Sequence, residues 1–227
     1  MTAALQCINF LPPMKISVPG IVWISLILLA TSADLLLAQT NSTNVTPGPG
    51  DTSVETIVAI RHGEKPPDGL GNLTCRGLNR ALAIPNVLLS KYGRPAFIFA
   101  PDPTEKVDGG KYYYVRPLAT IAPTAIRCQL PVNTAYGYTQ IDKLADELKK
   151  PAYRNALVFI TWEHLFLDQF AQLLVKSYGG DARQVPYWSN NDYDSIFVFK
   201  ITHQHDHDSL VFSTDHEGLN NLSDSCP

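Results

Sequence analysis

Apolar positions along the chain fall into two patterns: short continuous runs and wider stripes at helical spacing. Residues 55–60 form a near-continuous run that ends abruptly in Arg61-His62-Gly63-Glu64, the pattern of a strand buried on both faces. Residues 61–72 contain Gly63, Pro66, Pro67, Gly69 and Gly71 and read as a loop. In residues 73–92, Leu78, Leu82, Val87, Leu88 and Leu89 recur as on a helix; Pro85 is expected to kink or divide it and Gly93 to stop it. Residues 96–100 predict a second buried strand, and residues 101–111 a polar loop. After the aromatic stretch 112–115, Pro117 suits the first turn of a helix. Its inward face is predicted to carry Leu118, Ile121, Ala122, Ala125 and Ile126, with a bend at Pro123.

Residues 141–150 predict a short amphipathic helix with Ile141, Leu144, Ala145 and Leu148 inward. Residues 156–161 predict a third buried strand, leading into Trp162-Glu163-His164. Leu167, Phe170, Leu174 and Tyr178 form the next helix stripe, closed by Gly179-Gly180. Residues 195–202 and 210–213 read as paired strands joined by a polar turn, and residues 215–227 as a loose tail. Strands alternating with helices imply an α/β sheet covered on both faces. Ligands of such sheets bind at the carboxyl ends of the strands, where connections diverge. Two apolar runs reach that edge with chemically capable residues, one at Arg61-His62 and one at Glu163-His164.

The N-terminal part differs in kind. Lys15 precedes an uncharged apolar run over residues 16–30, followed by the small residues Thr31-Ser32-Ala33. These are the parts of a secretory signal, with a cut after Ala33 or Ala38. Uncleaved, the apolar stretch over residues 16–33 is just long enough to anchor the chain in a bilayer. Met14, directly before this pattern, is an alternative start. Residues 1–39 are therefore assigned to a signal peptide or membrane anchor, 40–53 to a Ser/Thr/Pro/Gly linker, 54–214 to a folded domain and 215–227 to the tail. The expected location is exported, periplasmic or extracellular, or membrane-anchored if the signal is kept.

With 45% hydrophobic and 17% charged residues, the chain can bury a core and is not disordered. A net charge of −3 supplies no global basic field, so nucleic acid is not an expected partner. Cys75, Cys128 and Cys226 follow the apolar segment at long spacings and without a CxxC pair, which argues against a zinc site or a disulfide scaffold. An exported chain allows one disulfide among them, and the sequence leaves the pair open.

Arg61, His62, Arg116 and His164 together suit phosphoryl transfer. A neutral imidazole can attack phosphorus to give a phosphohistidine, which water then hydrolyses. Two guanidinium forks and a second imidazole would hold the equatorial oxygens. A helix starting at Pro117 would add partial positive charge beside Arg116.

On these residues the chain resembles the histidine phosphatase superfamily, its phosphoglycerate mutase-like branch. Arg61-His62-Gly63-Glu64, Leu73-Thr74-x-x-Gly77 with Ala81, Arg116 with Thr124-Ala125, and Glu163-His164 after a strand occur in the family's order. RHGEKP combined with VRPLAT and WEH is similar to a bacterial subgroup of the branch without a cap domain. The resemblance implies a three-layer α/β/α sandwich with a mostly parallel sheet and His62 as the phosphorylated nucleophile. It further implies Arg61, Arg116 and His164 around the phosphate, a small phosphorylated substrate, and no metal or organic cofactor.

Two departures concern the proton donor. Mutase-type members carry a glutamate after the helix that follows the second arginine; here that region reads Leu130-Pro131-Val132-Asn133-Thr134. Phosphatases of the larger branch carry an aspartate just after the second histidine; here Leu165 stands there. Glu163 is then the candidate donor, with Asp102 and Glu105 as substitutes. The runner-up reading is a phosphate- or phospholigand-binding protein with little turnover. Arg76 and Arg80 are expected on a solvated helix face, and Trp162, Tyr112, Tyr113 and Tyr114 in packing. His203, His205 and His207, with Asp206 and Asp208, have spacing that could hold zinc or copper, but they fall where a polar hairpin tip is expected.

Overall fold

The computed structural model describes residues 52–227. The expected signal or anchor and most of the expected linker, residues 1–51, lie outside the described residues. In chain order the elements are β1 (Ser53–Arg61), α1 (Cys75–Tyr92), β2 (Phe97–Phe99), β3 (Lys106–Val107), β4 (Tyr112–Tyr113), α2 (Arg116–Cys128), α3 (Ile141–Leu148), β5 (Leu157–Trp162), α4 (His164–Ser177), β6 (Ser195–His203) and β7 (Asp208–His216). Among the described residues no helix is long and apolar enough to cross a membrane.

Five strands form one sheet in the order β2-β5-β1-β6-β7. β2, β5 and β1 pair in parallel, while β6 runs antiparallel to both of its neighbours, β1 and β7. Four of the five strands therefore point the same way. The strand period of two divides the core between the two faces. Ile57 and Ala59 of β1 pack with Leu144 and Leu148 of α3 and Leu167, Phe170 and Leu174 of α4. Val58 and Ile60 pack with Ile84 and Leu88 of α1 and Ile121 and Ala125 of α2. The result is the three-layer α/β/α sandwich that the residue pattern and the resemblance imply.

Several local expectations are corrected. Helix α1 runs unbroken through Pro85, which is buried within it; Ile84 and Leu88, packed against the sheet, hold the turns on either side. Its inward face is Gly77, Arg80, Ala81, Ile84 and Leu88, whereas Leu82 is 50% exposed. An arginine can occupy this face because its charge is matched, as described below. In α2 the inward face includes Thr120 and Thr124, and Ile126 is exposed. The buried Thr120 hydroxyl is satisfied, since it donates to the Arg116 carbonyl at 2.8 Å. The loop over residues 101–111 contains one strand of a small ribbon, β3 paired with β4.

The chain after Asp215 is not a loose tail. Strand β7 extends to His216, and Glu217 is buried against Arg80 of α1 at 2.5 Å. Leu219 N–H donates to Asp194 Oδ1 at 2.7 Å. Asn79 Nδ2 donates to the carbonyls of Ser223 and Ser225, and a disulfide joins Cys226 to Cys75 at the start of α1. Cys128 is free and buried.

Candidate active site

β1 and β5 are adjacent and parallel, with Arg61 in register with Trp162, so the residues that follow both strands emerge side by side. The His62 amide donates to the Trp162 carbonyl at 2.9 Å and carries the pairing one step beyond β1. This edge borders the antiparallel β6, so the connections diverge here. His62 is buried, and its Nδ1 lies 2.7 Å from the Gly63 carbonyl oxygen. A carbonyl only accepts, so Nδ1 carries the proton and Nε2 keeps its lone pair. Burial, reinforced by the positive charges of Arg116 and Arg61 and by His164, holds the imidazole pKa well below its ordinary value; only the Gly63 carbonyl opposes this. His62 is therefore neutral at neutral pH.

The loop carrying His62 is pinned to both helices of its face. Gly63 N–H donates to Thr120 Oγ1 at 2.9 Å, which fastens the loop to the first turns of α2. A Cβ on Gly63 would stand 2.9 Å from the Gly77 carbonyl oxygen, so only glycine permits this approach to α1. Thr74 caps α1 by accepting from Gly77 N–H at 3.1 Å. Glu64 receives Arg80 on both oxygens, at 3.0 and 2.8 Å. Arg80 is thus buried between the loop that carries His62 and Glu217 of the tail, and is not on a solvated face; Arg76 remains partly exposed, paired with Asp224.

The two predicted arginines flank the imidazole. The guanidinium of Arg61 is buried, lies 3.8 Å from the centre of the Tyr193 ring, and points Nη1 at the carbonyls of Asn190 and Asp192, at 2.8 and 2.7 Å. Arg116 opens α2, donates to the Gly69 carbonyl at 3.1 Å and lies 3.6 Å from Asp108 Oδ2. His164 opens α4, and its Nε2 lies 2.5 Å from Asn190 Oδ1. The segment Ser189–Asp192 therefore engages both Arg61 and His164.

Glu163 is the N-cap of α4. Its Oε2 accepts from the amides of Leu165 and Phe166 at 2.8 and 3.2 Å, and its Oε1 lies 2.5 Å from His164 Nδ1. Burial would raise this carboxyl, but His164 and the two amides outweigh burial and hold it below the usual range. Asp102 is engaged by the Thr104 amide and hydroxyl, and Glu105 accepts from the Tyr138 amide.

Four polar atoms in this cluster are shielded from solvent and make no hydrogen bond of acceptable geometry: Arg61 Nε, Arg116 Nε, the Tyr114 hydroxyl and His164 Nδ1. The Nδ1 contact to Glu163 is short but misaligned. Two permanent cations and a neutral imidazole, with donors to spare, form a setting for an oxyanion. Sequence reasoning missed three residues here. Asp108 belongs to a turn with no distinguishing pattern. Tyr193 follows a polar segment in which nothing marks it out. Tyr114 is the third of three consecutive tyrosines, and only β4 pairing reveals that it alone turns inward.

The histidine cluster at the β6–β7 turn does not converge. His203 is buried, with Nδ1 2.9 Å from Asp208 and Nε2 3.4 Å from Glu55, while His205 and His207 are exposed. Glu55 is fully buried, and burial followed by the Asp208 charge pushes its carboxyl up to about 8. This group sits at the start of β1, at the opposite end of that strand from His62.

No protein-family model and no curated protein matches the chain. Similar solved structures include a protein named as the phosphohistidine phosphatase SixA from Nakamurella multipartitia, at 14% identity and a TM-score of 0.48, covering 72% of this chain and 96% of that one. A phosphoglycerate mutase from Bacillus anthracis has 12% identity and a TM-score of 0.47, over 73% and 93% of the two chains. A phosphoserine phosphatase mutant from Entamoeba histolytica, in complex with phosphoserine, has 11% identity and a TM-score of 0.45, over 74% and 99%. At identities this low, the weight rests on the residues and distances above.

Proposed function

We propose that the chain is a phosphomonoesterase of the histidine phosphatase type, acting through a phosphohistidine on His62. The observation that carries this reading is the state of His62: a buried, neutral imidazole, its Nδ1 proton fixed on the Gly63 carbonyl, between two buried arginines. Nε2 attacks phosphorus, the bond to the leaving-group oxygen breaks, and the phosphoryl group resides on Nε2. Arg61, Arg116 and His164 hold its oxygens and spread the charge of transfer. A water molecule then attacks phosphorus, the N–P bond breaks, and inorganic phosphate and free His62 result.

Glu163 acts in this scheme by positioning His164. Its oxygens are occupied and its carboxyl is held ionised, which is unfavourable for donating a proton. Substrates whose leaving groups need little protonation, such as aryl phosphates or phosphohistidine, fit this site best. We further propose export: the disulfide between Cys75 and Cys226 supports reading residues 1–39 as a signal or anchor, since such bonds persist in oxidising compartments.

The test is hydrolysis of 4-nitrophenyl phosphate by the wild type and by His62→Ala, with an alkaline quench to preserve the acid-labile phosphohistidine. Turnover and a trapped phosphoenzyme are expected for the wild type, and neither for the variant. Undiminished turnover in His62→Ala would refute the assignment. Phosphate binding without turnover on a broad panel would favour a phospholigand-binding protein instead.

A further inference from the structure

Tyr114 is fully buried, and its hydroxyl proton finds no acceptor: Arg116, the side chain that faces it, can only donate. Buried hydroxyls are nearly always paired, and one whose proton has no acceptor costs stability. Phenylalanine would fill the same space without that cost, so packing alone does not explain a tyrosine here. The ring is fixed from several sides. It meets the His62 imidazole edge-on with centroids 6.1 Å apart, meets Tyr138 at 5.2 Å, and has the Arg116 guanidinium 4.8 Å from its centre. The Tyr114 amide donates to the Glu105 carbonyl at 2.8 Å, which sets the backbone. The hydroxyl sits among the charges of Arg116, Glu163 and Arg61, and the two arginines also act on His62.

We propose that the Tyr114 hydroxyl is a further catalytic group, donating a hydrogen bond to a phosphoryl oxygen during transfer to and from His62. The inference rests on the phosphatase reading above and adds a neutral donor to its two arginines. Arg61 and Arg116 bring an oxyanion to the place where this hydroxyl lacks an acceptor. Burial keeps the phenol protonated well beyond its ordinary range, so it is a donor at every working pH and does not transfer its own proton. In this role it stabilises charge on the phosphoryl group, while the leaving group is left to its own basicity.

Tyr114→Phe removes one oxygen and nothing else, so it separates chemistry from folding. The full chain, as wild type, His62→Ala and Tyr114→Phe, is assayed on 4-nitrophenyl phosphate, and thermal melting is followed with and without orthovanadate. The expected result for Tyr114→Phe is a loss of about a hundredfold in kcat with KM nearly unchanged. Its melting temperature without anion should equal or exceed that of the wild type, and the stabilisation by vanadate should shrink. A kcat within about twofold of the wild type, far short of an oxyanion donor's usual share, overturns the inference. So does a lowered melting temperature, which would make the hydroxyl a structural group. A wild type that neither turns over nor responds to vanadate overturns the phosphatase reading and this inference with it. Turnover lost in His62→Ala but kept in Tyr114→Phe overturns the inference alone.

Discussion

Replacing Glu163 by glutamine tests how the second half of the site is built. The carboxylate caps α4 through two amide bonds and faces His164 Nδ1 at 2.5 Å. Glutamine keeps an oxygen for the cap, so little of the ~1 kcal/mol that a cap contributes is lost. It removes the negative charge at the helix N-terminus, worth about 0.3–1 kcal/mol. It also weakens the contact with the imidazole, where a hydrogen bond to a charged group contributes about 1.5–3 kcal/mol at full strength. The misalignment of that contact places its share toward the low end. A net loss of about 2 kcal/mol follows, a fall of roughly 4–8 °C in melting temperature for a domain of this size. The pH dependence has a definite sign. Because the folded carboxyl is held below 4.5, its contribution is present above the unfolded value and is lost as pH falls through the folded one. The stability gap between wild type and variant should therefore be full at pH 7 and close under acid conditions. Turnover should fall about tenfold, or ~1.4 kcal/mol of transition-state stabilisation, as His164 loses its orientation. That factor should be the same for 4-nitrophenyl phosphate and for an alkyl phosphate such as glycerol phosphate. If the alkyl substrate loses about ten times more than the aryl one, Glu163 protonates the leaving group and the positioning role is wrong.

Three further outcomes are expected. The acid limb of kcat/KM should lie below the ordinary imidazole value of 6.5, because burial and the flanking cations depress His62; a limb at or above 6.5 would contradict a neutral nucleophile. Glu55→Gln should flatten the alkaline side of the stability curve. Wild-type Glu55 keeps its proton up to about 8 when folded, so wild-type stability declines as pH rises from 4.5 through 8, and urea titrations at pH 5 and 8.5 that show equal slopes of decline would refute this. Replacing Cys75 and Cys226 by serine should cost up to ~5 kcal/mol for a separation of 151 residues, less where the Arg80–Glu217 pair still holds the tail; a loss under about 1 kcal/mol by guanidinium unfolding would show that the tail is fixed without the bond.

The parts legible in the sequence were those where one residue type admits one environment. Apolar runs such as residues 156–161 marked buried strands because their length and composition leave few alternatives. Arg61, His62, Arg116 and His164 could be singled out because each stands at an element boundary, and the structure brings the other three around His62. Less legible were positions whose burial depends on a distant partner. Arg80 reads as a surface residue until Glu64 and Glu217, the latter 137 positions away, are brought to it. The inward turn of Tyr114 and the capping of α4 by Glu163 are likewise set by tertiary register, which the local pattern does not encode.

The central strand of the sheet has a consequence for how the molecule assembles. β1 is the first strand of the described residues, yet its two partners, β5 and β6, begin at Leu157 and Ser195. Neither of its edges can be paired until most of the chain is available, and both closures span long loops. Such topology is slow to form and leaves an apolar segment unpaired for much of synthesis. For a chain that crosses a membrane before folding, the delay is an advantage. Were the chain exported, as proposed above, the strand that ends in His62 would stay unpaired, and so translocatable, until β5 and β6 arrive to flank it.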